Sequence, residues 1–195
     1  AVWIGYSMGG RLALAGGVLR PDRVAALVLE SASPGLAGPD ERAERRALDE
    51  ERARTLEEGG LEAWVDAWMS LPLFASQREL PEEVRARERR RRLRSSVEGL
   101  AWSLRELGTG SQPSFWDDLP GLDVPVLLLT GARDEKFCDL ADAMASKLPR
   151  ARRATIPGVG HAVHLEAPDA WLEAVGDFLD GIVSGERTHS DGTAP

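Results

Sequence analysis

Apolar residues fall along this chain in two textures: short continuous runs toward its ends, and helical-period stripes set among charges in its middle. Val2-Trp3-Ile4 leads into glycines, while Val24-Ala25-Ala26-Leu27-Val28-Leu29 and Val124-Pro125-Val126-Leu127-Leu128-Leu129-Thr130-Gly131 have the pattern of strands covered on both faces. A weaker strand is expected over 153–156, with helices over 11–19, 140–148 and 168–182. Strands that alternate with helices predict a parallel sheet and an α/β fold. From about residue 40 to 106 the strand signal stops. There Leu61, Trp64, Val65, Trp68 and Met69 recur at helical spacing, and Val97, Leu100, Ala101, Leu104 and Leu107 repeat the pattern. The expected organisation is a strand, helix and second strand over 1–36, a helical cap inserted over 37–115, and the rest of the sheet layer over 116–183. A polar, small-residue tail over 184–195 is expected to be disordered.

Composition narrows the partners. At 195 residues, 43% hydrophobic and 29% charged, the chain can bury one domain core. No run approaches the roughly 18 consecutive apolar residues of a membrane span, so no membrane insertion is expected. The balance of 24 basic against 32 acidic residues gives a net charge of −8, which repels nucleic acid and anionic membrane surfaces. Seven arginines nevertheless crowd between Arg85 and Arg94, whereas Lys136 and Lys147 are the only lysines. Arginine's planar fork suits carboxylates, so part of this run is a candidate for an anionic ligand and the rest for a solvated helix face. A single cysteine, Cys138, cannot form an internal disulfide, which fits a reducing cytoplasm; with no histidine paired to it in sequence, it reads as packed. Nothing in the pattern signals an oligomeric state.

The chemistry begins at Gly5-Tyr6-Ser7-Met8-Gly9, which follows the first apolar run and precedes a helix. In that setting G-x-S-x-G presents a serine at a strained turn. Glycine is expected at both flanks, because a side chain there would collide with the neighbouring strand or helix. Similar turns also bind phosphate or merely connect elements. Asp134, however, follows a buried strand, and His161, in Gly158-Val159-Gly160-His161, follows the last one. Serine, acid and histidine in that order, each past the carboxyl end of a strand, predict an α/β-hydrolase fold with a catalytic triad. His161 would take a proton from Ser7, and Asp134 would hold the imidazole in the useful tautomer and stabilise its charged form. Taken singly, Asp134 could cap a turn and His161 could be an ordinary loop histidine. His164 lies where the next helix should begin, and His189 is in the tail. No cluster has metal-ligand spacing and no dinucleotide fingerprint occurs, so no metal and no cofactor are expected.

More specific stretches accompany the triad: Gly5-Tyr6-Ser7-Met8-Gly9-Gly10-Arg11, Glu30-Ser31-Ala32-Ser33-Pro34-Gly35-Leu36, Glu41-Arg42-Ala43-Glu44-Arg45-Arg46, and Trp68 with Pro72-Leu73-Phe74-Ala75. Leu93-Arg94-Ser95, Gly108-Thr109-Gly110-Ser111-Gln112-Pro113-Ser114, Asp134-Glu135-Lys136-Phe137 and Gly160-His161 continue the series. In these stretches, spread over most of residues 1–170, the chain resembles the 2-succinyl-6-hydroxy-2,4-cyclohexadiene-1-carboxylate synthase family of menaquinone biosynthesis. The resemblance implies a lyase step, elimination of pyruvate from 2-succinyl-5-enolpyruvyl-6-hydroxy-3-cyclohexene-1-carboxylate, with the triad as the base that removes a ring proton. It implies Arg11, Arg45 and Arg94 as anchors for a small polycarboxylate substrate, Tyr6 and Trp68 as aromatic pocket positions, and Met8 as donor of a backbone N–H to the developing oxyanion. Without it, Arg45 and Arg94 read as solvated charges, and Tyr6 and Trp68 as core aromatics.

The family's early strands and its His-Gly-rich loop, which supplies a second oxyanion N–H, have no counterpart here. The chain is therefore expected to be N-terminally truncated, with its first strand an unpaired apolar edge. Two other readings stay open: an esterase or carbon–carbon bond hydrolase on the same scaffold, and an inactive truncated fragment.

Overall fold

Strands β1 (Val2–Tyr6), β2 (Ala26–Glu30), β3 (Val126–Gly131) and β4 (Ala151–Ile156) pair in that order, each pair parallel, in a computed structural model. It describes residues 1–190, with side-chain surroundings through residue 184. The two continuous apolar runs are the central strands, buried from end to end. Alternation sends Ala26, Val28, Leu127 and Leu129 to one face, where they pack with Val163, Val175 and Phe178. Leu27 faces the other way, against α1 (Met8–Leu19), where Gly17 approaches so closely that a Cβ would lie 2.9 Å from a leucine methyl. Each fully buried Leu or Val in these strands contributes ~1.5–3 kcal/mol. Among the described residues β1 pairs with β2 alone, and it exposes Val2, Trp3 and Ile4.

Helix α1 starts at Met8 rather than at 11, because Ser7 itself is its N-cap. The helix after β3 runs over Glu135–Ala145 rather than 140–148, since it begins directly after Asp134; this is the sixth helix of the chain. The last two helices are Val163–Glu166, which contains His164, and Pro168–Ser190. The tail expected to be disordered from 184 instead continues the final helix to Ser190. No proline interrupts the helix between Pro168 and Ser190. Residues 191–195 lie outside the described residues.

The chain divides into two compact units. One comprises Ala1–Ser33 and the chain from Asp118 onward, and the other is Pro34–Asp117. The second unit begins before 37 and ends after 115 because its ends are tied together: Phe115 N–H donates to the Pro34 carbonyl at 2.8 Å, and the Trp116 indole N–H donates to the Gly35 carbonyl at 3.0 Å. It consists of α2 (Pro39–Gly59), α3 (Leu61–Met69), α4 (Glu82–Arg92) and α5 (Val97–Leu107). Proline, Asp40 and Glu41 in the first turn suit the start of α2, and Gly60 at φ 80° ends it. Ala53, Leu56 and Ala101 form its small core, with Leu61, Trp64, Val97, Leu100 and Leu104 packed around them.

The arginine run is largely accounted for inside this unit. Glu82 and Glu83 open α4 and Arg89 to Arg92 close it, so both signs complement the helix dipole. Buried Glu88 pairs with Arg91 and Arg92, and Arg89 reaches Glu62 and Asp66 on α3. The helices after β3 are α6 (Glu135–Ala145), α7 (Val163–Glu166) and α8 (Pro168–Ser190).

Candidate active site

Ser7 sits between β1 and α1 with φ 50° and ψ −111°, a conformation that costs a non-glycine residue ~1–3 kcal/mol. Two main-chain bonds hold it there: its N–H donates to the Glu30 carbonyl at 2.8 Å, and its carbonyl accepts the Arg11 N–H at 3.0 Å. The tightness of the turn falls on Gly5, where a Cβ would lie 2.3 Å from the Gly9 carbonyl oxygen and 2.5 Å from the Gly10 nitrogen. Contrary to expectation, Gly9 has nothing within 4 Å of its Cβ position; the second crowded glycine is Gly10, 2.6 Å from the Ala32 Cβ. The helix turns the Gly9 side away from the strand and the Gly10 side onto the loop after β2.

The acid and histidine loops are stitched to each other at the ends of β3 and β4. Ala132 N–H donates to the Ile156 carbonyl at 2.8 Å and Arg133 N–H to the Val159 carbonyl at 2.9 Å. Gly131 permits this approach, since a Cβ there would lie 2.2 Å from the Gly160 oxygen. As a result Asp134 Oδ2 lies 2.6 Å from His161 Nδ1, and His161 Nε2 lies 3.0 Å from Ser7 Oγ. His161 is 1% exposed and Asp134 8%. With the carboxylate accepting from Nδ1–H, the neutral tautomer leaves Nε2 as an acceptor for the serine hydroxyl. The arrangement can withdraw a proton from Ser7 and hold the resulting imidazolium against a buried carboxylate.

The rings of Phe137 and Tyr6 lie 4.6 Å and 5.3 Å from the imidazole of His161, and Tyr6 also meets His164 edge-on at 4.8 Å. Met8 begins α1, at the positive end of its dipole, and Arg11 lies one turn further, buried. Tyr6, Met8 and Arg11 therefore belong to the unit that holds Ser7. Arg45, Trp68 and Arg94 belong to the helical unit. There Arg45 Nε donates to both oxygens of Asp49, at 2.9 and 3.0 Å, and Arg52 donates to the same carboxylate at 3.4 Å. Asp49 is 2% exposed. Trp68 stacks on Trp64 at 4.9 Å with the Arg52 guanidinium 5.8 Å over its ring. Arg94, past the end of α4, is exposed and makes no ion pair among the described residues.

Sequence reasoning passed over Phe137, Asp49, Glu30 and Glu166. Glu30 had a signal: an acid closing an apolar run is a buried acid, and it is 2% exposed. Cys138 packs at the end of β3, its Sγ 3.4 Å from the Gly131 carbonyl. Among the described residues no group of three His, Cys, Asp or Glu side chains is placed to hold a metal ion, and no helix is long and apolar enough to cross a membrane.

Comparison with known proteins places this geometry in context. Residues 1–174 match the alpha/beta hydrolase family. A Bacillus subtilis protein named a putative 2-succinyl-6-hydroxy-2,4-cyclohexadiene-1-carboxylate synthase is 48% identical over 179 residues, 92% of this chain; the chain spans 65% of that relative's length. The enzyme of that name from Salmonella newport is 31% identical over 90% of this chain and 67% of its own. The solved structure of MenH from S. aureus superposes with a TM-score of 0.91 at 39% identity, over 93% of this chain and 68% of that one.

Proposed function

We propose a function from one premise: the chain belongs to the alpha/beta hydrolase family and, within it, to the lineage of the 2-succinyl-6-hydroxy-2,4-cyclohexadiene-1-carboxylate synthases. It acts as a lyase that eliminates pyruvate from 2-succinyl-5-enolpyruvyl-6-hydroxy-3-cyclohexene-1-carboxylate. The observation that carries the chemistry is the relay from Ser7 Oγ through His161 to Asp134, at 3.0 and 2.6 Å. Ser7 passes its proton to His161 as its oxygen takes one from the ring. The electrons of that C–H bond form a ring double bond, the existing ring double bond shifts by one position, and the bond from the ring to the enolpyruvyl oxygen breaks. Asp134 stabilises the imidazolium until the departing enolate takes up its proton and becomes pyruvate, which leaves His161 neutral, while the proton from the ring stays on Ser7 Oγ and resets the relay.

The other site residues serve binding. Arg11 and Arg45 anchor carboxylates, Arg45 through the guanidinium edge that Asp49 leaves open, and Arg94 supplies a third positive charge. Tyr6 and Trp68 offer apolar faces to the ring, and the Met8 N–H faces charge that develops on oxygen. The reading needs no metal or cofactor and places the enzyme in the cytoplasm.

The test is pyruvate release from the cyclohexene substrate by the full-length protein, followed by oxidation of NADH with lactate dehydrogenase. Ser7→Ala and His161→Ala should abolish it, and Arg45→Ala should depress it far more than hydrolysis of a neutral ester. Equal losses on both substrates, or an acyl group trapped on Ser7 without pyruvate release, would instead make the protein an esterase.

A further inference from the structure

We propose that Glu30 and Glu166 are positioning residues that fix the histidine loop against the serine turn. Both lie outside the relay, and the chemistry above does not use either. Glu30, at the end of β2, is a buried carboxylate whose two ends do different work. Its main-chain carbonyl accepts the Ser7 N–H at 2.8 Å. Its carboxylate accepts three donors from the other side of the site: His164 N–H at 3.2 Å and His164 Nδ1 at 2.8 Å on one oxygen, and the Trp171 indole N–H at 2.8 Å on the other. One residue thus ties the strand that carries the nucleophile to the segment that follows the base.

Glu166 completes the frame from α7. Its Oε2 accepts the Gly160 N–H at 2.7 Å and its Oε1 the Ala162 N–H at 3.2 Å, so a single carboxylate brackets the backbone of His161 on both sides. The N–H groups of residues 160 and 162 lie between β4 and a four-residue helix, and that of 164 lies in the helix's first turn, where neither a ladder nor a helical turn supplies acceptors. Charge-assisted bonds are the strong replacement. A carboxylate buried as deeply as Glu30 is costly unless fully hydrogen-bonded, and simple packing of α7 and α8 would be served by an apolar side chain. The frame also reaches the binding face, because His164, fixed by Glu30, meets the Tyr6 ring edge-on at 4.8 Å, and Tyr6 in turn lies 5.3 Å from the His161 ring.

This inference rests on Ser7, Asp134 and His161 being the reacting set, and not on the identity of the substrate. It is therefore tested with a fluorophosphonate, which loses fluoride as Ser7 Oγ bonds to phosphorus and gives the serine proton to His161. The full-length protein is labelled, and both the rate constant and the final labelled fraction are read by mass spectrometry. Wild type should be labelled at Ser7 once per chain, and His161→Ala should be inert. Glu30→Gln and Glu166→Gln should slow labelling by about tenfold or more, the scale of loss from a slightly misplaced catalytic group, with the final fraction unchanged. A purely structural role lowers the fraction and leaves the rate of the remaining molecules at the wild-type value, which would overturn the proposal. His164 is exposed, so its variants serve if Glu30→Gln does not fold. His164→Leu should be slow, and His164→Asn, whose amide can donate to Glu30, should recover most of the rate; wild-type speed in His164→Leu overturns the role of Glu30. Absence of labelling in wild type removes the relay and this inference together. Labelling as described without pyruvate release removes the proposed function and leaves the positioning roles standing.

Discussion

Replacing Gly5 and Gly9 separately by alanine divides the elbow motif into a part that is obligatory and a part that is not. At Gly5 the added methyl would lie 2.3, 2.4 and 2.5 Å from three backbone atoms of Gly9 and Gly10, about 1 Å short of ordinary contact. No side chain can rotate away to relieve this, so α1 must move off β1. Overpacking of that kind costs ~1–3 kcal/mol or more. A 1 Å displacement of Ser7 also breaks its 3.0 Å contact with His161, and misplacement on that scale costs about 100-fold in rate. At Gly9 the methyl meets nothing, the residue lies inside a helix, and alanine is favoured there by ~0.5–1 kcal/mol. Gly9→Ala should therefore raise the unfolding midpoint by about 1–4 °C and leave Ser7 phosphonylation near wild type. Gly5→Ala should lower the midpoint and slow phosphonylation by about two orders of magnitude. Calorimetry and fluorophosphonate kinetics on the two variants check both statements. The reasoning fails if Gly5→Ala labels at wild-type speed, or if Gly9→Ala is damaged to the same degree.

Asp134→Asn should leave the fold intact but reduce Ser7 phosphonylation by about 10³–10⁴-fold, because the amide favours the wrong imidazole tautomer; a loss under about tenfold would refute the assignment of Asp134. Asp49→Asn removes the carboxylate shared by Arg45 and Arg52. Breaking a fully buried pair costs ~3–5 kcal/mol, and since both arginines are about 30% exposed the expected loss is ~1–3 kcal/mol, read as a lower thermal midpoint. The carboxyls of Glu50 and Glu57 are held below the usual range chiefly by hydrogen bonds from Arg105. A depressed folded pKa means stability that is present above the unfolded value of about 4.3 and lost as pH falls through the lower folded value. The denaturation midpoint of wild type should thus fall more steeply below about pH 4 than that of Arg105→Gln, and parallel curves would show that the pairs add nothing.

How much of this was legible depended on how local each cause is. β2 and β3 could be read because a strand covered on both faces has no polar residue to interrupt it. β4 was faint because, as an outer strand, it mixes half-buried residues with the exposed Arg152 and Thr155. The stripes Leu61, Trp64 and Val97, Leu100, Leu104 marked the faces that meet around Ala53 and Leu56. The order of Ser7, Asp134 and His161 was visible because each follows a strand, and parallel strands deliver their carboxyl ends to one edge. Glu166 was not, because its partners are main-chain N–H groups that no side-chain pattern announces, and Glu30 showed only as a buried acid, since its donors on His164 and Trp171 lie more than 130 residues away. Gly9 misled because the motif treats its two glycines alike, whereas helical rotation gives them different neighbours. Part of the arginine run read as a candidate for an anionic ligand, but Arg89, Arg91 and Arg92 have their counterions in Glu62, Asp66 and Glu88.

The two hydrogen bonds that join Pro34 to Phe115 and Gly35 to Trp116 bear on how the chain folds and diversifies. β2 and β3 are adjacent strands separated by residues 31–125, and an open loop of that length would make their pairing a slow, entropically costly closure. If the helical unit folds first, its clasp brings the two strand ends together and turns a long-range search into a short one. The same clasp makes the segment an exchangeable cassette: a unit of different length or lining could be spliced between residues 34 and 116 without changing the register of any strand.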